Sequence, residues 1–100
     1  MATVQIRTLV IPLGATQSEI FEAGSVESGT FSIPAAFTGA TVQPQFSNDG
    51  TNWTAVGSPI SVAANGTYVI PADIFKASRG RLVSASSEVA ERTLTLGLKR

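Results

Sequence analysis

One hundred residues suffice for one domain and are too few for two domains with separate cores. A hydrophobic content of 43% with 14% charged residues excludes a disordered chain, and the balance of seven basic against seven acidic residues excludes long-range attraction to nucleic acid or to an anionic membrane. Cysteine and histidine are absent, which excludes disulfide frameworks, thiolate nucleophiles, the Ser-His-Asp triad and the usual zinc and iron–sulfur sites.

The N-terminal segment contains the first predicted strand. Val4 and Ile6 alternate in one phase and Leu9 and Ile11 in the other, so a bulge or bend in the middle of the strand would bring both pairs to one face. The segment lacks the features of a signal peptide, and we expect synthesis in the cytosol. Two uses are open for residues 1–13: part of the domain itself, or an arm or swapped strand that adds to a neighbour's sheet.

Six further segments have the pattern or the turn-forming boundaries of short strands: residues 29–33, 42–46, 53–56, 67–70, 81–85 and 93–99. Pro44 cannot donate a ladder hydrogen bond, which predicts an edge position or a bulge for its strand. Residues 17–23 and 72–77 suggest helix, but neither segment is long enough for more than one turn. The chain is therefore predicted to be all-β, a single-domain antiparallel β-sandwich or jelly roll of about eight short strands.

Two features mark turns. The Ser-Asn-Asp-Gly run at residues 47–50 predicts a tight turn between two strands, because Asn and Asp tolerate left-handed conformations and Gly adopts positive φ without steric cost. The pattern Gly-Thr-aromatic-x-Ile-Pro-Ala occurs twice, beginning at Gly29 and at Gly66. This echo has two interpretations, namely two strand ends that share a proline stop signal, or two related halves of a sandwich.

The acidic residues are the remaining candidates for catalytic groups, because a glycosidase needs only two carboxylates. Asp49 lies in the predicted turn, Asp73 follows a proline where it can cap a helical turn, and Glu88 lies in a serine-rich loop. All seven acidic residues fit turns or solvated positions better than an active site. We predict no enzymatic activity, no catalytic residue, no metal site and no cofactor.

Aromatic and arginine side chains are candidates for binding a partner. Trp53, the only tryptophan, fits either the core at an open end of the sandwich or a surface that stacks on a sugar or a protein. Arg79, Arg81 and Arg92 fit either bidentate contacts to a partner's carboxylates or protection of sheet edges. With the N-terminal strand, the predicted partner-binding residues are Val4, Ile6, Leu9, Ile11, Trp53, Arg79 and Arg81.

The hairpin segment at residues 42–56 resembles the Ser-x-Asp-Gly-x-x-Trp hairpin of several β-sandwich families, including discoidin-like carbohydrate-binding modules. Segments 28–39, 68–72 and 92–98 flank this hairpin, and the complete order is similar to that of small proteins encoded among the virion genes of tailed bacteriophages. The likeness spans about residues 28–98.

This resemblance implies a virion structural protein, such as a capsid decoration or cement protein that binds the outside of the shell and stabilises it. Its partners would be the major capsid protein or other virion proteins, and the low net charge favours homo-oligomers. The alternative is a carbohydrate-binding or adhesion module of a tail, neck or head fibre, with Trp53 and the Asp49 turn as its contact. Neither function involves nucleic acid or a membrane.

Overall fold

A computed structural model of the chain describes residues 4–99. These residues form nine strands and one 3₁₀-helix. The strands are β1 (Val4–Ile11), β2 (Phe21–Glu22), β3 (Ser28–Ser32), β4 (Thr41–Ser47), β5 (Thr54–Ala55), β6 (Ile60–Ser61), β7 (Thr67–Ile70), β8 (Arg79–Ser84) and β9 (Arg92–Lys99), and the 3₁₀-helix is Ala72–Lys76. No helix among residues 4–99 is long and apolar enough to cross a membrane.

The strands make two antiparallel sheets with one core between them. The four-stranded sheet has the order β1-β9-β3-β7, and the five-stranded sheet has the order β2-β8-β4-β5 with β6 also paired to β4. Alternate residues of both sheets point inward and pack together, among them Phe31, Val42, Ile70, Leu82 and Leu96. The structure thus confirms the predicted all-β antiparallel sandwich.

The N-terminal strand belongs to its own chain's sheet. β1 pairs with β9 in an unbroken antiparallel register along its whole length, so the predicted bulge is absent. The two apolar phases of β1 instead point to opposite faces, with Leu9 and Ile11 in the core and Val4 and Ile6 exposed. The prediction failed because it assumed that every apolar residue of the strand faces the core.

Pro44 lies in an interior strand, so the predicted edge position is wrong, whereas the predicted irregularity is present: the pairing register on one side of β4 changes between Val42–Ile60 and Gln45–Ala55. β4 pairs with β8 on one side, and on the other side with β6 near its start and β5 near its end. The carbonyl of Pro44 accepts a hydrogen bond from the N–H of Val56 at 2.9 Å on this second side. Since the nitrogen and carbonyl of one residue point to the same side of a strand, the missing N–H faces the gap between β5 and β6.

The two segments considered for helix have different structures. Residues 72–77 contain the 3₁₀-helix, whose five residues slightly exceed the predicted limit of one turn. Residues 17–23 contain β2 and a single bridge from Gln17 to Val83. β2 and β6 were not among the predicted strands, because a strand of two residues is too short to show a period-two pattern. The repeated Gly-Thr-aromatic pattern forms β3 and β7, which are antiparallel neighbours in one sheet.

Candidate interaction surface

The outward side of the four-stranded sheet forms a surface that we call the threonine face. Because side chains alternate along a strand, every second residue of its four strands points away from the core. The residues at these positions are Val4, Ile6, Thr8, Val10, Ser28, Thr30, Ser32, Thr67, Val69, Thr93, Thr95, Gly97 and Lys99. Apolar and hydroxyl side chains make up the face, and among the described residues Lys99 is its one charged side chain.

The strand register arranges this face in rows. Ile6 lies opposite Gly97, Gly97 opposite Thr30, and Thr30 opposite Val69. Ile6 and Val69, at the two ends of the row, are 67% and 71% exposed. Gly97 has no side chain between them, and a shallow depression of about 320 Å³ lies here, lined in part by Val4, Thr30 and Val69. The apolar groups therefore flank a low point of the sheet.

The neighbouring row contains hydroxyl side chains alone. The hydroxyls of Ser32 and Thr67 lie 2.9 Å apart and form a hydrogen bond. Neutral hydroxyls cost less to remove from water than ionised groups do. A partner can therefore cover this row more easily than a charged surface. The row consists of Thr8, Thr95, Ser32 and Thr67.

The structure separates the four N-terminal candidates for partner binding. Leu9 and Ile11 are buried in the core cluster, so their side chains are not accessible to a partner while β1 is paired with β9. This position corrects the expectation that they form a contact surface. Val4 and Ile6 lie on the threonine face and are the members of this set that a partner can reach.

Trp53 lies on the outward side of the five-stranded sheet and is absent from the core cluster, so the interpretation as core is wrong. The guanidinium carbon of Arg81 lies 4.2 Å from the centre of the Trp53 ring, within cation–π range. Arg81 also donates from Nε to Oε1 of Gln45 at 2.7 Å and from Nη1 to Oε1 of Gln17 at 3.1 Å. Burial lowers the pKa of Arg81. Contacts on the sheet surface thus cover part of the indole.

The predicted turn at residues 47–50 connects β4 to the segment before β5. Oδ1 of Asp49 accepts hydrogen bonds from the N–H groups of Asn52 and Thr51 at 2.8 Å and from the hydroxyl of Ser47 at 2.9 Å, while Oδ2 accepts from the Asn52 amide at 2.7 Å. These bonds, led by the Asn52 N–H, hold the pKa of Asp49 well below its usual value. The carboxylate is thus committed to the turn.

Arg79 lies beside this turn, where its Nη1 donates to the carbonyl of Asn48 at 3.2 Å. Arg79 and Arg81 occupy alternate positions of β8 and share the outward side of the five-stranded sheet with Trp53. The threonine face lies on the other side of the sandwich. The predicted partner-binding residues are therefore divided between two opposite surfaces and the core.

Glu88 is buried and accepts four hydrogen bonds, which corrects the prediction of a solvated or turn position. Predicted as a solvated loop residue, it is 1% exposed. Its Oε1 accepts from the Thr38 N–H and from Nε of Arg92, both at 2.9 Å, and Oε2 accepts from the Gly39 N–H and the Ser84 hydroxyl at 3.2 Å. Burial acts to raise the pKa of Glu88, but these hydrogen bonds outweigh it and lower the pKa. Ser84 and Arg92 are each four positions away, but the Thr38 and Gly39 N–H groups that the carboxylate also binds are 50 and 49 positions away and could not be inferred from the local sequence.

A cleft of about 240 Å³ opens between the edges of the two sheets, beside β1 and β2. Gln5, Arg7, Glu19 and Glu22 contribute polar groups to its walls. The side-chain oxygen of Gln5 is buried and has no hydrogen-bond partner in the described part of the chain. Such an orphaned acceptor is uncommon in folded proteins and calls for an explanation.

Among residues 4–99, no group of three or more acidic side chains is placed to hold a metal ion. Comparison of the chain with protein-family models, with curated proteins and with solved structures gives no match. The evidence for function accordingly comes from the surfaces of the sandwich itself.

Proposed function

We propose that this chain is a non-enzymatic structural protein of a virion, a decoration protein that binds the outer surface of a tailed-phage capsid and stabilises the shell. The threonine face is the observation that supports this proposal. It combines the exposed apolar side chains of Val4, Ile6 and Val69 with hydroxyls and a single charge. Isolated exposed apolar residues are normal, whereas a group of them on one sheet face is typical of an interaction surface.

The size of the face fits repeated, individually weak contacts. With about 4.8 Å between strands and about 3.3 Å per residue, its four strands cover roughly 400 Å². A stable interface buries about 800 Å² on each partner, so one face gives a weak contact by itself. Many copies on a symmetric shell gain avidity when they are linked to one another, and this favours a homo-oligomer whose partner is the major capsid protein.

The proposal is tested with capsid shells that lack the protein. Purified chain is mixed with shells, the shells are pelleted, and bound chain is measured for wild type, Val69→Lys and Val89→Lys. Val69 lies on the threonine face, whereas Val89 is 74% exposed in a loop between β8 and β9 and serves as the matched control. We expect at least a tenfold loss of affinity for Val69→Lys and none for Val89→Lys.

Equal binding of both variants and wild type would contradict the proposal, as would the absence of wild-type binding. Electron cryomicroscopy of decorated shells provides the second readout, because it shows which surface of the sandwich meets the shell. Density in which the five-stranded sheet faces the capsid would reject the threonine face as the contact.

The surface position of Trp53 favours a second candidate, a carbohydrate-binding or adhesion module of a tail, neck or head fibre. An indole at the surface is a common platform for sugars. Two observations weigh against it: Arg81 covers part of the ring, and the Asp49 carboxylate is occupied by its own turn. Screening against a glycan array, with Trp53→Ala as the control, tests this function; binding that the substitution abolishes would favour it over the capsid.

A further inference from the structure

β1 provides the longest free sheet edge within residues 4–99. It has eight residues, whereas β7 at the other edge of the same sheet has four, and β2 and β5 at the edges of the second sheet have two each. Very short edge strands are one way in which proteins avoid pairing with other chains. β1 lacks this protection, and an additional strand can therefore pair there.

The backbone groups that face this edge follow from the contacts of Val10. Its N–H donates to Oε1 of Glu19 and its carbonyl accepts from the Glu19 N–H, both at 2.9 Å, so the Val10 groups point away from β9. In an antiparallel ladder every second residue points the same way. The N–H and C=O groups of Val4, Ile6 and Thr8 therefore lie on the free edge, with no partner among the described residues.

We propose that two copies of this chain pair antiparallel through their β1 edges about a two-fold axis at Ile6. Ile6 then lies opposite the partner's Ile6, and Val4 and Thr8 lie opposite the partner's Thr8 and Val4. Each opposed pair exchanges two backbone hydrogen bonds, about six in all. A register shifted toward the end of β1 would place Val4 of one copy opposite Val10 of the other. The backbone N–H and C=O of Val10 are already hydrogen-bonded to Glu19 and could not pair with Val4.

The side chains support the same register. On the threonine face, each exposed Ile6 is covered by its copy, an apolar pair across the junction. On the other side of the strand, Arg7 lies opposite the partner's Gln5. The Gln5 oxygen is the buried acceptor that lacks a donor in the single chain, and Arg7 is exposed and forms no ion pair among the described residues. Because the Gln5 oxygen is closed to solvent in the single chain, the Gln5 amide would rotate on pairing and accept from the partner's Arg7.

The dimer has one continuous sheet of eight strands, and both threonine faces lie on the same side of it. Their combined area is roughly 800 Å², the amount that a stable interface buries on one partner. Binding of the capsid by this combined face rests on the proposed function, whereas the pairing of the two β1 strands does not. The edge contact is small, so we expect a reversible dimer that is populated at high concentration.

Cysteine cross-linking tests the register, because the chain has no cysteine of its own. In Ile6→Cys the two opposed Cα atoms would lie about 5.5 Å apart, within the range of a disulfide. Thr8→Cys is the matched control on the same strand and face, since the two copies of residue 8 would be separated by about 14 Å. Under mild oxidation we expect Ile6→Cys to form disulfide dimers at least ten times faster than Thr8→Cys.

Sedimentation of chains without cysteine gives the second readout. Wild type and Val69→Lys should dimerise with rising concentration, whereas Ile6→Lys should stay monomeric with an unchanged far-ultraviolet spectrum, because a charge on the edge opposes pairing. Equal cross-linking at positions 6 and 8, or a wild type that is monomeric throughout, would overturn the dimer. Either result leaves the capsid proposal standing if Val69→Lys alone loses shell binding, so the two ideas fail separately.

Discussion

Replacing Glu88 with alanine removes the carboxylate that holds two loops against the end of the sandwich. The substitution leaves the Arg92 guanidinium without its partner, although that side chain is only 14% exposed. It also removes the acceptor of the Thr38 and Gly39 N–H groups. The fold therefore loses a buried ion pair and two backbone hydrogen bonds in one step.

The size of the effect follows from this loss. Removing one partner of a buried ion pair costs about 3–5 kcal/mol, because the other charge stays buried and uncompensated. A small domain has a total stability of about 5–15 kcal/mol. We expect Glu88→Ala to lose about 3–5 kcal/mol of unfolding free energy, a large share of the total.

Urea unfolding followed by far-ultraviolet circular dichroism and by Trp53 fluorescence measures this loss. Glu91→Ala is the matched control, an exposed acidic residue three positions further along the same loop, and we expect a change within about 0.5 kcal/mol. A loss below about 1 kcal/mol for Glu88→Ala, or one equal to that of the control, would refute the argument that the Glu88 contacts hold the loops.

Three further predictions follow from the packing. The folded state lowers the pKa of Glu88, so ionised Glu88 stabilises the fold above about pH 4.3 and this stabilisation is lost as the pH falls through the folded pKa. Glu88→Gln should therefore flatten the acid side of a curve of unfolding free energy against pH. Gly80→Ala should cost about 1–3 kcal/mol in thermal unfolding, since its Cβ would lie 2.5 Å from Cζ of buried Phe21. Deletion of residues 1–12 should abolish the folded circular dichroism spectrum because β1 supplies Leu9 and Ile11 to the core; a deletion variant with a native spectrum would contradict this.

The strands that the sequence predicts well are those with a regular period. The alternation of Leu94, Leu96 and Leu98 with other residues predicts a strand over 93–99, one residue shorter than the observed β9. The observed bounds of β7, Thr67–Ile70, are those predicted. β2 and β6 have two residues each, and they are strands because they pair with β8 and β4. Their own sequence pattern does not predict this pairing.

The surfaces were harder to predict because period alone does not tell which face of a strand is buried. Val4 and Ile6 are as apolar as Leu9 and Ile11, yet they lie on the outward side. The assignment requires the partner sheet, which covers the Leu9 side. Trp53 shows the same limit: its contact with Arg81 joins residues from different hairpins and leaves no local trace in the sequence.

The pairing of β1 with β9 has a consequence for synthesis of the chain. Val4 lies opposite Lys99, 95 positions later, and within residues 4–99 β1 has no other strand as its partner. On the ribosome, β1 therefore emerges long before the strand that completes its sheet, and its apolar residues stay uncovered until β9 has left the exit tunnel. Folding of this domain is consequently a late event, and a product that terminates before Arg92 exposes β1 and the β9-facing edge of β3 to other nascent chains.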